Sequence, residues 1–313
     1  MSLLIVTAIL IFIIGGFGIF GNVNLAIATF LRNPQKNKCT VLIGILSCVD
    51  LICVVFEWQN AFRILLTTES YRLSCFWAFS PYLFFVNVQS TLILMVAIDR
   101  LLAMFMPMRY RNLSTTVYVL LAMVPCFAFP AAIFVGAVVY LVDEPIKACN
   151  PPLMYPPEIS KIWNGWILIS DSCTIAVYMV TVVVLYVKEH QFKKLDRTCT
   201  EYQFFLQQQH IMRTISVIVV AFVCSSFLCH LSVLFVTYLG LAEGVVQIFQ
   251  TIAVIPAIMC YSQNYYIYLW RSVEYRTLFK SQFLAIVKCD WRLCGQHNGV
   301  SIVHSVYSSH HLP

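Results

Sequence analysis

The chain has 313 residues, of which 60% are hydrophobic and only 11% charged; its mean hydropathy is +0.80 and its formal net charge +6. A soluble core cannot hide so much apolar surface and so few charges cannot solvate an exterior, which leaves a membrane protein. The basic excess does not point to nucleic acid, because the cations are sorted by loop rather than gathered into a patch.

Apolar runs that clear the roughly 20 residues needed to cross a bilayer fall at about 3 to 31, 41 to 62, 76 to 98, 117 to 142, 164 to 187, 211 to 239 and 246 to 270. The expected fold is all-α, a seven-transmembrane helix bundle with a short amphipathic helix after the seventh span. It divides into a bundle unit, 1–285, and a disordered cytosolic tail, 286–313. Of the 20 Lys and Arg residues, all but Arg63, Arg72, Lys147 and Lys161 fall between spans one and two, three and four, or five and six, or after span seven. The positive-inside rule then sets the N-terminus outside and the tail in the cytosol.

The start, M-S-L-L-I-V, lacks a basic n-region, and its apolar run is too long for a cleaved signal, so it is expected to remain as the first helix. That helix carries G-F-G-I-F-G-N-V, with Asn22. The second, L-I-G-I-L-S-C-V-D-L-I, sets Asp50 in mid-membrane, at a cost of roughly 2.5 to 3.5 kcal/mol, so Asp50 should face inward with a partner, Asn22 first among candidates. Glu57 follows two turns later on the same face, with Asn60 beside it. It is either a pocket group or a solvated acid near the outer end.

From Cys75 the sequence runs C-F-W-A-F-S-P-Y-L-F-F-V-N-V-Q-S-T-L-I-L-M-V-A into I-D-R and then M-P-M-R-Y. As a helix, Cys75 to Arg100 covers roughly 37 Å, more than the ~30 Å hydrocarbon layer, so one end lies at each face. Pro81, Asn87 and Gln89 are tolerated there only if neighbouring helices satisfy the freed groups, which predicts a central helix. Arg100 is then a docking group or an interfacial cation that snorkels to the headgroups. Of the 13 cysteines, only Cys75 and Cys149 face the oxidising side, which predicts one disulfide between them.

Pro125 and Pro130 should kink the fourth helix. The loop 143–163 contains Pro145, Pro151, Pro152, Pro156 and Pro157 and reads as a stiff extended lid. Asp171, about one turn below Trp166, is a second candidate for ligand contact, or an acid solvated at the outer mouth. The polar inner loop after it has no prolines, so helices five and six can extend into the cytosol. Helix six contributes F-V-C-S-S-F-L-C-H-L, where His230 is a satisfied interior histidine or a ligand contact.

After the seventh span, Tyr275, Phe279, Phe283 and Ile286 recur at helical spacing among Arg271, Arg276 and Lys280, which predicts an amphipathic helix on membrane lipid. Cys289 and Cys294 are candidate palmitoylation sites, free thiols being the alternative. The sequon Asn112-Leu113-Ser114 falls on the cytosolic side and should go unused. No metal-ligand spacing appears, so no metal or cofactor is expected. Motifs for a hydrolase or metalloprotease, the repeated halves of a transporter and the acid-lined pore of a channel are missing too, so an enzyme is not expected.

Seven spans, G-N in helix one, Asp50, the outer cysteine pair, D-R followed by M-P-M-R-Y, and N-Y-Y-I-Y resemble the rhodopsin-like G-protein-coupled receptors over about residues 15 to 285. More narrowly, F-G-N, K-C-T-V-L-I-G-I-L-S-C-V-D-L-I and S-Q-N-Y-Y-I-Y-L-W-R-S-V-E-Y-R resemble the Srsx group of nematode serpentine chemoreceptors. The resemblance implies a chemosensory receptor for a small molecule, or alternatively a neuropeptide receptor, that signals to a heterotrimeric G protein from the plasma membrane and sensory cilia. It implies coupling roles for Asp99, Arg100, Pro107 and Met108, an interior polar network of Asn22, Asp50 and Asn264, and an inward-swinging Tyr268.

Several positions depart from the pattern. Tyr265 follows Asn264 where a proline is expected, Ser226 and Leu228 replace the tryptophan and proline of helix six, and Gln208 stands where many members carry an acid. Gln89 replaces a small hydroxyl residue, so no ion is required. Tyr82 stands where amine receptors carry an acid, which argues against an amine ligand, and the absence of lysine from 246–270 excludes a retinal Schiff base. The expected pocket is aromatic, with Phe79, Tyr82 and Val86 on helix three and with Glu57, Asp171 and His230 as polar contacts.

Overall fold

The computed structural model describes residues 2–32, 37–66, 70–146, 149, 151–192, 209, 216–239 and 243–287. In chain order the helices are α1 (Ser2–Ile27), α2 (Lys38–Leu65), α3 (Arg72–Ala78), α4 (Ser80–Phe105), α5 (Pro107–Asn112), α6 (Thr115–Val139), α7 (Pro151–Met154) and α8 (Pro157–Phe192). They continue with α9 (Leu228–Tyr238), α10 (Glu243–Ile252), α11 (Val254–Ser262), α12 (Asn264–Arg271) and α13 (Val273–Val287). Among the described residues six helices are long and apolar enough to cross a membrane: Leu3–Leu31, Lys38–Leu65, Ser80–Phe105, Thr115–Val139, Pro157–His190 and Ser216–Val236. The outward stripe of α1, formed by Ile5, Ile9, Ile13, Phe17 and Phe20, is exposed, as a lipid-facing helix requires.

The seventh apolar run forms three shorter helices instead of one. Pro256 has no N–H to offer the carbonyl of Ile252, and α10 ends there. The carbonyl of Ala253, at the junction, accepts the thiol of Cys229 at 3.2 Å. A second interruption falls at Gln263, before Asn264, although Tyr265 stands where a proline is expected.

α4 lies in the middle, packed against α2, α6 and α8. The continuous shaft expected from Cys75 to Arg100 is broken at Phe79, between α3 and α4. Pro81 cannot donate to the carbonyl of Trp77, and the Ser80 hydroxyl takes that place at 3.1 Å. At this end Cys75 and Cys149 are disulfide-bonded, with Cα atoms 5.4 Å apart. A two-stranded antiparallel pair, β1 (Ser70–Tyr71) and β2 (Pro145–Ile146), lies next to that bond. Arg72 pairs with Glu144 at 2.6 Å and donates to the carbonyl of Leu153 at 3.2 Å.

The proline-rich lid is not extended throughout. Pro151–Met154 closes one helical turn, and α8 starts at Pro157, so the fifth helix begins well before the expected 164 and runs roughly 54 Å. That length exceeds the ~30 Å hydrocarbon layer of a bilayer. Pro125 and Pro130 both sit inside the single helix α6.

The amphipathic α13 differs from expectation. Tyr275 and Phe279 are buried against Tyr265 and Tyr268, Gln282 donates to the carbonyl of Asn24 at 3.2 Å, and Phe283 of the expected stripe is exposed. Two residues of the stripe are thus used on the bundle itself. Cys289, Cys294, Gln208 and the segment 288–313 lie outside the described residues.

Close approach of α1 and α12 depends on Gly21, where a Cβ atom would stand 2.8 Å from the Cβ of Tyr265. Gly21→Val should overpack this contact and cost about 1–3 kcal/mol, seen as a lower thermal unfolding temperature in detergent. An unchanged midpoint would show that the two helices can separate freely.

Candidate functional site

The polar residues of the bundle gather at three levels along α4. At the first, the Tyr82 hydroxyl donates to Glu57 of α2, and Asn60 donates to the other Glu57 oxygen at 3.3 Å. Glu57 is completely buried, so these hydrogen bonds are what make a carboxyl tolerable there. One turn along α4, Asn87 donates to Leu83 O at 2.7 Å and to the Tyr155 hydroxyl at 3.1 Å, while that hydroxyl donates to Leu83 O at 3.1 Å. Tyr155 comes from the lid and is buried, so the lid reaches into the bundle and anchors on α4. Nothing in the sequence signals this role beyond a tyrosine among prolines.

At the second level Asp171 of α8 accepts Ser90 at 3.5 Å and Ser226 at 3.2 Å. Ser226 sits in a π-helical turn, Val223–Phe227, where Ser225 bonds back to Ala221 O at 2.7 Å. The turn contains Ser226 and ends one residue before Leu228, the positions where the rhodopsin-like pattern has its helix-six tryptophan and proline. Such insertions re-aim side chains and are frequent at functional sites. Deeper, Asn264 donates to Asp50 at 2.9 Å, and Asn22 donates to the carbonyl of Tyr261 at 2.8 Å. Asn22 is therefore not the direct partner of Asp50, because the interruption of the seventh helix offers it a backbone acceptor nearby. Gln89 reaches the Cys260 sulfur at 3.7 Å.

A cavity of about 50 Å³ lies between α4, α8, α9 and α11, under Pro151 and Pro152. Tyr82, Val86 and His230 line it, together with Trp163, Asn164 and Tyr261. Phe79 does not; its ring packs 5.9 Å from Phe56. Glu57 and Asp171 stand one side chain behind the wall, covered by Tyr82 and Ser226 respectively. His230 Nδ1 is 3.2 Å from Asn164 Oδ1, and its ring is edge-on to Trp163 at 5.7 Å. At roughly 10–15 Å³ per water, the cavity has room for only a few waters in this arrangement.

The third level is the other end of α4. Arg100 Nε donates to Asp99 at 2.9 Å, and both side chains are buried. Tyr110 of α5 donates to Asp99 at 2.9 Å and accepts from Arg100 at 3.3 Å. Burial raises the Tyr110 phenol above its ordinary pKa, so it keeps the proton it donates. Lys38, at the start of α2, donates to Tyr110 O at 2.8 Å and lies over the ring at 4.5 Å. Pro107 starts α5 and Met108 points outward, 52% exposed. Tyr268 stands apart from this cluster, its ring tilted against that of Tyr275 at 4.9 Å, and lines a second cavity of about 40 Å³ with Asn264 and Phe222. Among the described residues no group of three or more His, Cys, Asp or Glu is placed to hold a metal ion.

Against known families, the model of the serpentine type seven-transmembrane G-protein-coupled chemoreceptors, Srsx, matches residues 16–283. The chain belongs to the Srsx chemoreceptor family. It is thus a multi-pass membrane receptor of the G-protein-coupled type, whose general partners are a ligand and a G protein. No curated protein matches the chain. The matched segment contains the cavity, the three polar levels and the Asp99–Arg100–Tyr110 cluster of this Srsx receptor.

Tyr110→Phe removes one hydroxyl that touches both Asp99 and Arg100. At about 0.5–1.5 kcal/mol per net hydrogen bond, the variant should raise ligand-free GTP exchange by roughly two- to tenfold in reconstituted vesicles. An unchanged basal rate in a folded variant would show that the cluster does not restrain Arg100.

Proposed function

We propose that this Srsx receptor is a chemosensory receptor for a small molecule, and that it transmits occupancy of the outer cavity through α4 to a heterotrimeric G protein at Arg100. The observation that carries the reading is the placement of both ends on one central helix: Tyr82 and Val86 at the cavity wall, Asp99 and Arg100 in the buried cluster. The size of the cavity and its aromatic wall support a small molecule over a peptide.

The mechanism is a shift between two bundle arrangements. Ligand favours the one with a wider cavity. Widening draws α9 and the π-helical turn away from Asp171, and the far ends of helices five and six separate. Arg100 is then released from Asp99 and Tyr110 toward the G protein, with Pro107 and Met108 on the same docking surface. Asn22, Asp50 and Asn264 hold the interior between the two ends, and Tyr268 moves into the second cavity. In this reading α10, α11 and α12 together make the seventh crossing, the N-terminus is outside, and the basic side faces the cytosol, in line with the distribution of Lys and Arg. The bundle unit ends near residue 285, the tail carries the palmitoylation candidates Cys289 and Cys294, and sensory cilia are the site of action.

Arg100→Ala should reduce ligand-stimulated GTP exchange at least about tenfold at normal surface expression, and Tyr82→Ala and Glu57→Gln should each raise the half-maximal ligand concentration by about tenfold. A full response from Arg100→Ala would rule out this route of coupling. Unshifted potency in both pocket variants would rule out this cavity.

A further inference from the structure

Lys38 opens α2 as a buried cation, 6% exposed, at a helix N-terminus, where the backbone dipole disfavours positive charge. Among the described residues no carboxylate forms an ion pair with it. Its compensation comes from α5: Nζ donates to Tyr110 O at 2.8 Å and stands over the Tyr110 ring at 4.5 Å, with Asp99 attracting it from farther off. Lys38 is fixed at its own end, since Asn37 accepts the N–H of Thr40 at 2.9 Å and caps the start of α2. α5 is the dependent side. With six residues, Pro107–Asn112, it is too short to hold a helix by its own hydrogen bonds. Its place under α4 therefore rests on contacts from outside it, and these converge on Tyr110. Lys38 holds the carbonyl and one ring face, the Tyr118 ring of α6 meets it edge-on at 5.9 Å, and the hydroxyl lies between Asp99 and Arg100.

We infer that Lys38 is a positioning residue for G-protein coupling: it latches α5 to α2 and so keeps the Tyr110 hydroxyl on Asp99 and Arg100 until ligand binds. This rests on the proposed route of coupling through Arg100. The lysine acts on the arginine through Tyr110. An apolar side chain of similar length fills the same space but leaves the Tyr110 carbonyl without its donor and the ring without its cation. Arginine supplies both, since a guanidinium donates to carbonyls and stacks on aromatic rings. A lysine with a purely structural part would change yield and stability and leave exchange per folded receptor as it was.

The test reads ligand-free GTP exchange per folded receptor, with G protein in vesicles, and so needs no identified ligand. Lys38→Met should raise that exchange roughly two- to tenfold, while Lys38→Arg should stay within about twofold of the unaltered receptor. Because the lysine acts through the Tyr110 hydroxyl, Lys38→Met combined with Tyr110→Phe should exchange no faster than the faster single variant. Adding Arg100→Ala to Lys38→Met should abolish the rise. A flat Lys38→Met beside a raised Tyr110→Phe would overturn the latch and leave the coupling route standing. The latch would also fall if both single variants were flat, if Lys38→Arg rose as much as Lys38→Met, or if the effects of Lys38→Met and Tyr110→Phe multiplied. A rise that survives Arg100→Ala would overturn the latch and the coupling route together. Should Lys38→Met fold poorly, the unaltered receptor supplies a second measurement. In detergent, acetic anhydride should acetylate Lys38 about tenfold more slowly than the exposed Lys280, read by mass spectrometry. Equal rates would show that the amine is not held on Tyr110 and would overturn the latch.

Discussion

A buried carboxyl among membrane helices must find its hydrogen bonds on a neighbouring helix, because lipid has none to offer. Glu57, Asp50 and Asp171 each meet this constraint by tying two or more helices together: Glu57 joins α2 to α4, Asp50 joins α2 to α12, and Asp171 joins α8 to both α4 and the π-helical turn before α9. These contacts specify how the helices sit relative to one another more sharply than apolar packing can, since a slipped register would leave an acid unpaired. The arrangement of cavity and arginine cluster depends on them.

α4 is where the ties converge. Its Tyr82, Asn87, Ser90, Asp99 and Arg100 all bond to residues outside their own turn or to buried neighbours, and Tyr155 brings the lid onto the same helix. A displacement at one level is therefore felt at the others through discrete contacts rather than elastic deformation. The π-helical turn has a particular place here. It turns Ser226 toward Asp171 in a helix without the tryptophan and proline of the rhodopsin-like pattern, and a backbone insertion so placed can relax to ordinary helix.

Much of this was legible in the sequence, and the reasons are specific. Hydropathy over long windows marked six crossings that the structure contains as apolar helices, and the loop location of Cys75 and Cys149 singled out the disulfide. Helical periodicity put Glu57 on the face of Asp50, and Glu57 does meet Tyr82. What could not be read depends on groups that sequence spacing does not bring together. Tyr155 enters the bundle from a loop, Asn22 takes a backbone carbonyl exposed by an interruption in another helix, and Tyr110 meets Asp99 only because α5 folds back beneath α4. The break at Phe79 follows from Pro81, a local signal that the length of the apolar run outweighed. α13 looked suited to lipid by its stripe, yet Tyr275 and Phe279 found aromatic partners on the bundle.

The central claim is that cavity and arginine cluster are two ends of one two-state element, and thermodynamic linkage tests it most directly. The dissociation constant of an activating ligand should be measured with and without nucleotide-free G protein, in the unaltered receptor and in Arg100→Ala. The account predicts that G protein tightens ligand binding by about 5- to 150-fold in the unaltered receptor, and that Arg100→Ala binds the ligand but shows no such tightening. Equal tightening in both would contradict it.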